Sequence, residues 1–204
     1  MKRVDWGTIG YQEATDLQLE LVEKVQAGED NTLISCTHPP IVTTGRGTKP
    51  GDVFGWKGEI FETSRGGRAT YHGPNQIIIY PIVNLSEKRD LHAFLRGMEN
   101  AIVETLKEFG IESEARTIEQ DEGPSLTGVW VGEHKIASLG IAVKKWVTYH
   151  GLALNVTHDP EAFTGINPCG FQSEIMTNME TVLGKKIDRE RVLETLLSSL
   201  ENKL

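Results

Sequence analysis

Residues 76–85 read Gln-Ile-Ile-Ile-Tyr-Pro-Ile-Val-Asn-Leu, nearly continuous in apolar side chains. A strand of that composition has no face to give to water, so it is expected to be covered on both sides. Pro81 inside it carries no N–H and demands either a bulge or a missing ladder bond. Three amphipathic helices are expected around it. Residues 11–28 carry an apolar stripe of Ala14, Leu17, Leu21, Val22 and Val25 and stop at Gly28. Asp90 suits the N-cap of a second helix, which buries Leu91, Phe94, Leu95, Met98, Ile102, Leu106 and Phe109 and ends at Gly110. From Asp188, the residues Val192, Leu193, Leu196, Leu197 and Leu200 form the stripe of a C-terminal helix. Further strands are expected at 32–36, closed by His38-Pro39-Pro40, at 41–44, and at 128–131, 135–144 and 147–156. The last three are joined by tight reversals at Gly132-Glu133-His134 and Lys144-Lys145-Trp146. Residues 45–58 read as a long surface loop. Helices and hairpins come in blocks without βαβ alternation, so the class is α+β: a mixed sheet with flanking helices, in one domain over residues 1–204.

A chain of 204 residues that is 38% hydrophobic buries roughly 70% of its unfolded surface and needs neither disulfides nor a structural metal. With 21 Lys+Arg against 29 Asp+Glu, the net charge of -8 argues against a general nucleic-acid binder. No apolar run approaches the roughly 20 residues of a membrane span, and Met1-Lys2-Arg3-Val4-Asp5-Trp6 lacks the apolar stretch of a signal peptide. Two cysteines, Cys36 and Cys169, fit a reducing compartment. The expectation is an acidic, cytoplasmic protein with no membrane and no nucleic-acid partner.

Three places concentrate unusual chemistry. In Arg65-Gly66-Gly67-Arg68-Ala69-Thr70-Tyr71-His72-Gly73-Pro74, paired glycines let the backbone approach a ligand, two arginines bring fork-shaped cations, and His72 titrates near neutrality. The plain alternative is a hairpin turn with two solvated arginines. Cys169 lies between Pro168 and Gly170, on a turn rather than inside an element. It is either an idle thiol or a nucleophile, and a nucleophile needs a nearby cation or donor to favour the thiolate. Lys135 opens the apolar strand Lys135-Ile136-Ala137-Ser138-Leu139-Gly140-Ile141; it either snorkels to water or stays inside as a cation or base. Cys36 ends an apolar strand and packs as a small hydrophobe. His38, His92 and His158 read as solvated or satisfied. No metal-ligand spacing, nucleophile elbow or phosphate loop occurs, so no metal and no cofactor are expected.

Taken together, Arg65-Gly66-Gly67, Thr70-Tyr71-His72-Gly73-Pro74 with Gln76, Tyr80-Pro81, His38-Pro39-Pro40, Gly128-Val129-Trp130, Lys135-Ile136-Ala137-Ser138, Tyr149-His150-Gly151 and Asn167-Pro168-Cys169-Gly170 resemble the lipoyl(octanoyl) transferases, over most of the chain. The resemblance implies the biotin/lipoate ligase-like fold. It also implies transfer of an octanoyl group from octanoyl-acyl-carrier protein to a lysine of lipoyl domains. Those acceptors are the acyltransferase subunits of 2-oxoacid dehydrogenases and the glycine-cleavage H protein. By the same resemblance, Cys169 carries the acyl-thioester and Lys135 lowers its pKa. Arg65, Gly66, Gly67, Arg68, Ala69, Thr70, Tyr71 and His72, with Ser138, Leu139, Gly140, Gly151, Leu152 and Ala153, line the acyl pocket. One departure is Asn75, where the family usually has a glycine; asparagine tolerates the left-handed region best after glycine.

Within that reading, the backbone N–H groups of Gly170 or Gly66-Gly67 are candidate oxyanion donors, and Leu139 and Ile141 hold the octanoyl tail. Arg46, Lys49, Arg65, Arg68, Lys144 and Lys145 are candidates for a basic face that docks acidic partners. The rival readings are an ATP-dependent lipoate or biotin ligase, which has no need for Cys169, a non-catalytic lipoyl-domain binder, and a cysteine hydrolase that recruits His72 or His150.

Overall fold

The computed structural model describes residues 1–118 and 126–204, leaving the side chains of Leu126 and Cys169 outside the description. Among the described residues, ten strands and four helices follow one another as β1 (Lys2–Thr8), α1 (Tyr11–Gln26), β2 (Thr32–Thr37), β3 (Ile41–Thr44), β4 (Glu59–Glu62), β5 (Thr70–His72), β6 (Gln76–Ile82), α2 (Leu91–Glu108), β7 (Glu114–Ile118), β8 (Leu126–Val131), β9 (His134–Lys144), β10 (Val147–Asn155), α3 (Met179–Leu183) and α4 (Arg189–Lys203). Seven strands form one sheet in the order β1-β2-β6-β10-β9-β8-β7, and β4-β3-β5 form a second. Only β1/β2 and β3/β4 pair in parallel; the remaining neighbours are antiparallel.

β6 is buried along its whole length, and its alternation assigns each side chain to a layer. Ile77 and Ile79 enter the core under α2 and α4, whereas Ile78, Tyr80 and Ile82 enter the core under α1. Pro81 produces a missing stretch of ladder. The β6–β10 register ends at Ile79↔Leu152, and the Thr148 hydroxyl takes over, donating to Pro81 O at 2.7 Å and accepting from Val83 N at 3.0 Å. The caps fall where the sequence places them. Asp90 accepts from Ala93 N at 2.7 Å and Asp188 from Arg191 N at 3.1 Å, which satisfies donors the first helical turn leaves open.

Several elements were not foreseen. β1 and β4 are largely exposed edge strands, and β7 is an edge of the same kind. Their pairing comes from a distant partner rather than from their own patterning. β5 emerges from what the sequence reads as loop, and α3 spans only five residues. Asn75 is not left-handed. Its carbonyl accepts from Val156 N and Thr157 N, both at 3.1 Å, so the residue is held by tertiary hydrogen bonds rather than by turn conformation. The β9–β10 reversal instead places Lys145 at φ 50 and Trp146 at φ 66, a left-handed pair of the kind that two-residue hairpins need.

Candidate active site

On the α1 side of the large sheet lies a cavity with about 490 Å³ of empty space, its open mouth included. Of the positions expected to line an acyl pocket, Arg65, Gly67, Thr70, His72, Ser138, Leu139, Gly140, Gly151, Leu152 and Ala153 line it. Gly66 faces the neighbouring groove beneath α2, as does Ile141. Ala69 is buried. Tyr71 packs with Val42, Phe163 and Ile166, and its hydroxyl donates to Asp159 at 3.2 Å. Tyr11, Tyr80, Thr127 and His150 complete the wall. No spacing in the sequence singles out Tyr11 or Thr127; Tyr80 and His150 carry only the signal of sitting beside Pro81 and Gly151.

The glycine-rich loop is held from below by its own arginine. Arg65 is 6% exposed and donates through Nη1 to Gly66 O (3.0 Å) and Arg68 O (2.9 Å), and through Nη2 to Thr43 O (3.0 Å) and Thr43 Oγ1 (2.8 Å). Arg68 pairs with the buried carboxylate of Asp52, its Nε donating to Oδ2 at 2.9 Å, and its guanidinium lies where a side chain on Gly170 would stand. Neither arginine belongs to a solvated turn, and neither is free for an external docking face. Long, fork-shaped donors are what a loop of exposed carbonyls recruits. Lys144 and Lys145 sit at the far end of β9 from Lys135, roughly 30 Å along an extended strand. Two of the proposed oxyanion donors are also engaged: Gly66 N donates to Ile141 O at 3.1 Å and Gly170 N to Asn167 O at 2.9 Å.

Lys135 is interior, 2% exposed. Its backbone pairs with Trp130 across the β8–β9 ladder and with Met176 on the other side, and its carbonyl accepts from Thr177 N at 2.9 Å. The side chain folds over Gly128, where an added β-carbon would collide with Lys135 Cε and stand 3.0 Å from Nζ. Gly128 pairs with Ser138, so the two share a sheet face, and Ser138 lines the cavity. The ammonium end therefore lies over Gly128, beside the strand pair that carries Ser138. Cys169 lies in the 3₁₀ turn Pro168–Gly170, and its side chain is outside the described residues. Two residues later the Phe171 ring meets Trp130 edge-on at 5.7 Å. Segment 171–177 thus closes over Lys135 from the turn that carries Cys169. The turn is fixed on its other side by Asn167 N to Asp52 O (2.8 Å) and Asn167 Nδ2 to Gly51 O (3.0 Å).

The opposite end of the cavity is a cluster of buried polar rings. His38 is satisfied at both nitrogens, by Ile9 O and by the Tyr80 hydroxyl, each at 2.7 Å. His92 and His158 are exposed. His72 and His150 each keep Nδ1 buried without a partner, as does Arg65 Nε. Burial, aided by the Arg65 charge, pushes His150 down to about 3. Burial, then the charges of His38, Arg65 and His150, hold His72 well below its ordinary range. Burial likewise raises Tyr11 and Tyr80. At neutral pH these groups are all uncharged, leaving Arg65 as the cation among them. Cys36 is a free, buried thiol packed in the core under α1, and burial followed by the Asp5 charge pushes it up; it behaves as a small hydrophobe.

Residues 10–201 match the lipoyl protein ligase A/B catalytic domain. An octanoyltransferase of Bdellovibrio bacteriovorus is 45% identical, across 96% of this chain and 97% of the relative. An octanoyltransferase of Geobacter sp. strain M21 is 40% identical, across 94% and 91%. Among solved structures, lipoate-protein ligase A bound with ATP superposes with a TM-score of 0.77 at 17% identity, covering 99% of this chain and 85% of that one. Biotin protein ligase from Aquifex aeolicus gives 0.55 at 16% identity, covering 99% and 68%. These likenesses establish the biotin/lipoate ligase-like fold. The chain belongs to the lipoyl protein ligase A/B catalytic-domain family, as an acyltransferase whose relatives are octanoyltransferases.

Proposed function

We propose that this chain acts as a single catalytic unit, moving an octanoyl group from octanoyl-acyl-carrier protein to a lysine of lipoyl domains through an acyl-thioester on Cys169. The observation that carries the reading is the enclosure of Lys135: a buried lysine folded over Gly128, whose ladder partner Ser138 lines the cavity, and covered by the segment that follows Cys169. A cation held there favours a thiolate over a thiol, and each pKa unit of such help is worth about 1.4 kcal/mol.

In the first step the Cys169 thiolate attacks the donor's thioester carbonyl. The new carbon–sulfur bond forms, the old one breaks, and the carrier thiolate leaves and takes the proton of the Lys135 ammonium, which leaves that amine neutral. In the second, the neutral amine of the acceptor lysine attacks the enzyme thioester and forms an amide. Cys169 departs as thiolate and the surplus proton on nitrogen passes to Lys135 or to solvent. Thioester to amide is downhill, so no nucleotide enters. The tail lies between Leu139, Leu152 and Ala153, and each buried CH₂ contributes roughly 0.8 kcal/mol, so cavity depth sets chain length. The buried ring cluster forms the far end of that depth. Lipoyl domains of 2-oxoacid dehydrogenase acyltransferase subunits and the glycine-cleavage H protein are the acceptors. The reaction is placed in the cytoplasm, consistent with an unpaired Cys36.

The test is incubation with octanoyl-carrier protein and apo lipoyl domain in the absence of nucleotide, followed by intact mass. We expect an octanoyl adduct on the enzyme that maps to Cys169, and octanoylated lipoyl domain. Strict dependence on ATP would point to ligase chemistry, and full turnover by Cys169→Ala would remove the thioester.

A further inference from the structure

β8 pairs with β9 only as far as Thr127↔Leu139. Beyond it the glycine-rich loop takes over the edge of β9, with Gly66 N donating to Ile141 O at 3.1 Å. Gly66 crosses directly over Gly140, its carbonyl 3.1 Å from where a β-carbon would stand. At this changeover the acyl cavity and the groove beneath α2 share Gly67, Thr127, Leu139 and Gly140 as walls, so the groove adjoins the acyl cavity where β8 ends and the loop begins. Its lining is unlike the acyl cavity. Leu91 and Leu95 give it an apolar floor, Arg46, His92 and Arg96 stand exposed around it, and Glu99 projects into it from α2. Glu99 is 5% exposed, with Oε1 buried and unpartnered. A buried carboxylate oxygen without a donor is costly, which marks the position as one a ligand N–H completes. Among the described residues Arg46 and Arg96 make no ion pair. They form a local cationic rim on a chain of net charge -8.

We propose that this groove takes the phosphopantetheine arm of the acyl-carrier donor, with Arg46 and Arg96 on its phosphodiester, Leu91 and Leu95 on its gem-dimethyl carbon, and Glu99 accepting from an amide N–H. The proposal rests on the thioester-transfer reading above and names where its donor lies. It assigns the carrier protein to the α2 side of the molecule. That placement also resolves how an acidic enzyme meets an acidic carrier: the attraction is local and short-ranged.

The experiment measures acyl-enzyme formation by intact mass with two donors, octanoyl-carrier protein and octanoyl-pantetheine, which lacks the phosphate and the protein. Arg46→Glu/Arg96→Glu is expected to raise KM for octanoyl-carrier protein by about tenfold or more, while changing the reaction with octanoyl-pantetheine by less than about twofold. Lys24→Glu/Lys185→Glu, two exposed charge reversals outside the groove, serves as the charge-matched control. Glu99→Ala should raise KM for both donors, and Glu99→Gln, which keeps an accepting oxygen, should restore most of it. Transfer from preformed acyl-enzyme to apo lipoyl domain should be indifferent to all three groove positions. Unchanged KM for carrier donor in the double variant, or equal losses with both donors, overturns the groove assignment and leaves the acyl-enzyme intact. No adduct on the unaltered enzyme from either donor ends the thioester reading, and the donor site with it.

Discussion

The face of the large sheet under α2 and α4 and the face under α1 are both closed to solvent, yet they bury different chemistry. Beneath α2 and α4 lies an extended apolar cluster, in which Leu33, Met98, Ala101, Ile102, Leu106, Val129, Leu154, Val192, Leu196 and Leu200 are fully enclosed. Beneath α1 the apolar cluster is smaller. Beside it sit His38, His72, His150, Tyr11, Tyr80, Arg65 and Gln18, several with buried polar atoms that nothing in the protein satisfies. Fully satisfied apolar packing gives a face whose value is stability. Unsatisfied polar groups lower stability, and they persist where a ligand or a reaction uses them. The division therefore teaches that α2 and α4 hold the sheet while the reacting groups lie on the α1 side; the unsatisfied Glu99 carboxylate of α2 stands apart from the apolar cluster, in the groove proposed for the donor arm.

Four substitutions sharpen or break that division. The largest effect is expected from Lys135→Met, which keeps an apolar stem and removes the ammonium: octanoyl transfer should fall roughly 10²- to 10⁴-fold, with the melting temperature near that of the parent. A variant with near-parent turnover would mean that the interior lysine is structural. On the opposite face, Leu106→Ala deletes a fully buried side chain and should cost roughly 2–5 kcal/mol in denaturant unfolding, with turnover per folded molecule unchanged. If turnover falls as well, the two faces are coupled and the division fails.

A third prediction concerns acid. His150 is held down to about 3 by burial and Arg65, whereas in the unfolded chain it titrates near ~6.5. Above that pH both states are neutral and the residue adds no pH dependence. Below it the unfolded chain takes up a proton that the folded state refuses, so stability falls as pH falls, down to the folded value. The loss from this residue is about 1.4 kcal/mol per pH unit, roughly 2 kcal/mol by pH 5. His150→Asn, which suits the left-handed backbone there (φ 57), should flatten the pH dependence of stability between pH 6.5 and 5. An unchanged slope would show that the ring is not the group responsible. The smallest effect is expected at Asn75→Gly. Because Asn75 is not left-handed, glycine relieves no backbone strain and adds freedom to the unfolded chain, a loss of about 0.5–1 kcal/mol set against removal of the buried, unpartnered Oδ1; a gain in stability would show that this oxygen outweighs the backbone term.

Elements that contain their own signal were legible in the sequence. The helices α1, α2 and α4 announce themselves by stripe and cap, and β6 by an apolar run long enough to need two layers. The strands β1, β4, β5 and β7 were not legible, because an edge or a three-residue strand is specified by its partner's register. At the site, the glycine-rich loop, Lys135 and the Pro-Cys-Gly turn stood out as odd residues for their settings. The cavity's other walls come from four separate elements: Tyr11 and Thr127 are unremarkable where they stand in the chain, and Tyr80 and His150 stood out only within the motifs that carry the resemblance.

By itself, the sequence determined which stretches are apolar on one face or on both, where three helices begin, and which polar residues stand in places that disfavour them. Such properties are read along the chain, within a turn or two of helix or a few residues of strand. Which odd residues share a wall was decided by the tertiary structure alone. The strand order sets β10 between β6 and β9 and lays Gly128 beside Ser138, and the turn after Asn167 returns to Trp130 and Lys135. Those neighbours lie tens of residues apart, and their proximity follows from sheet pairing and layer packing, which no local period encodes.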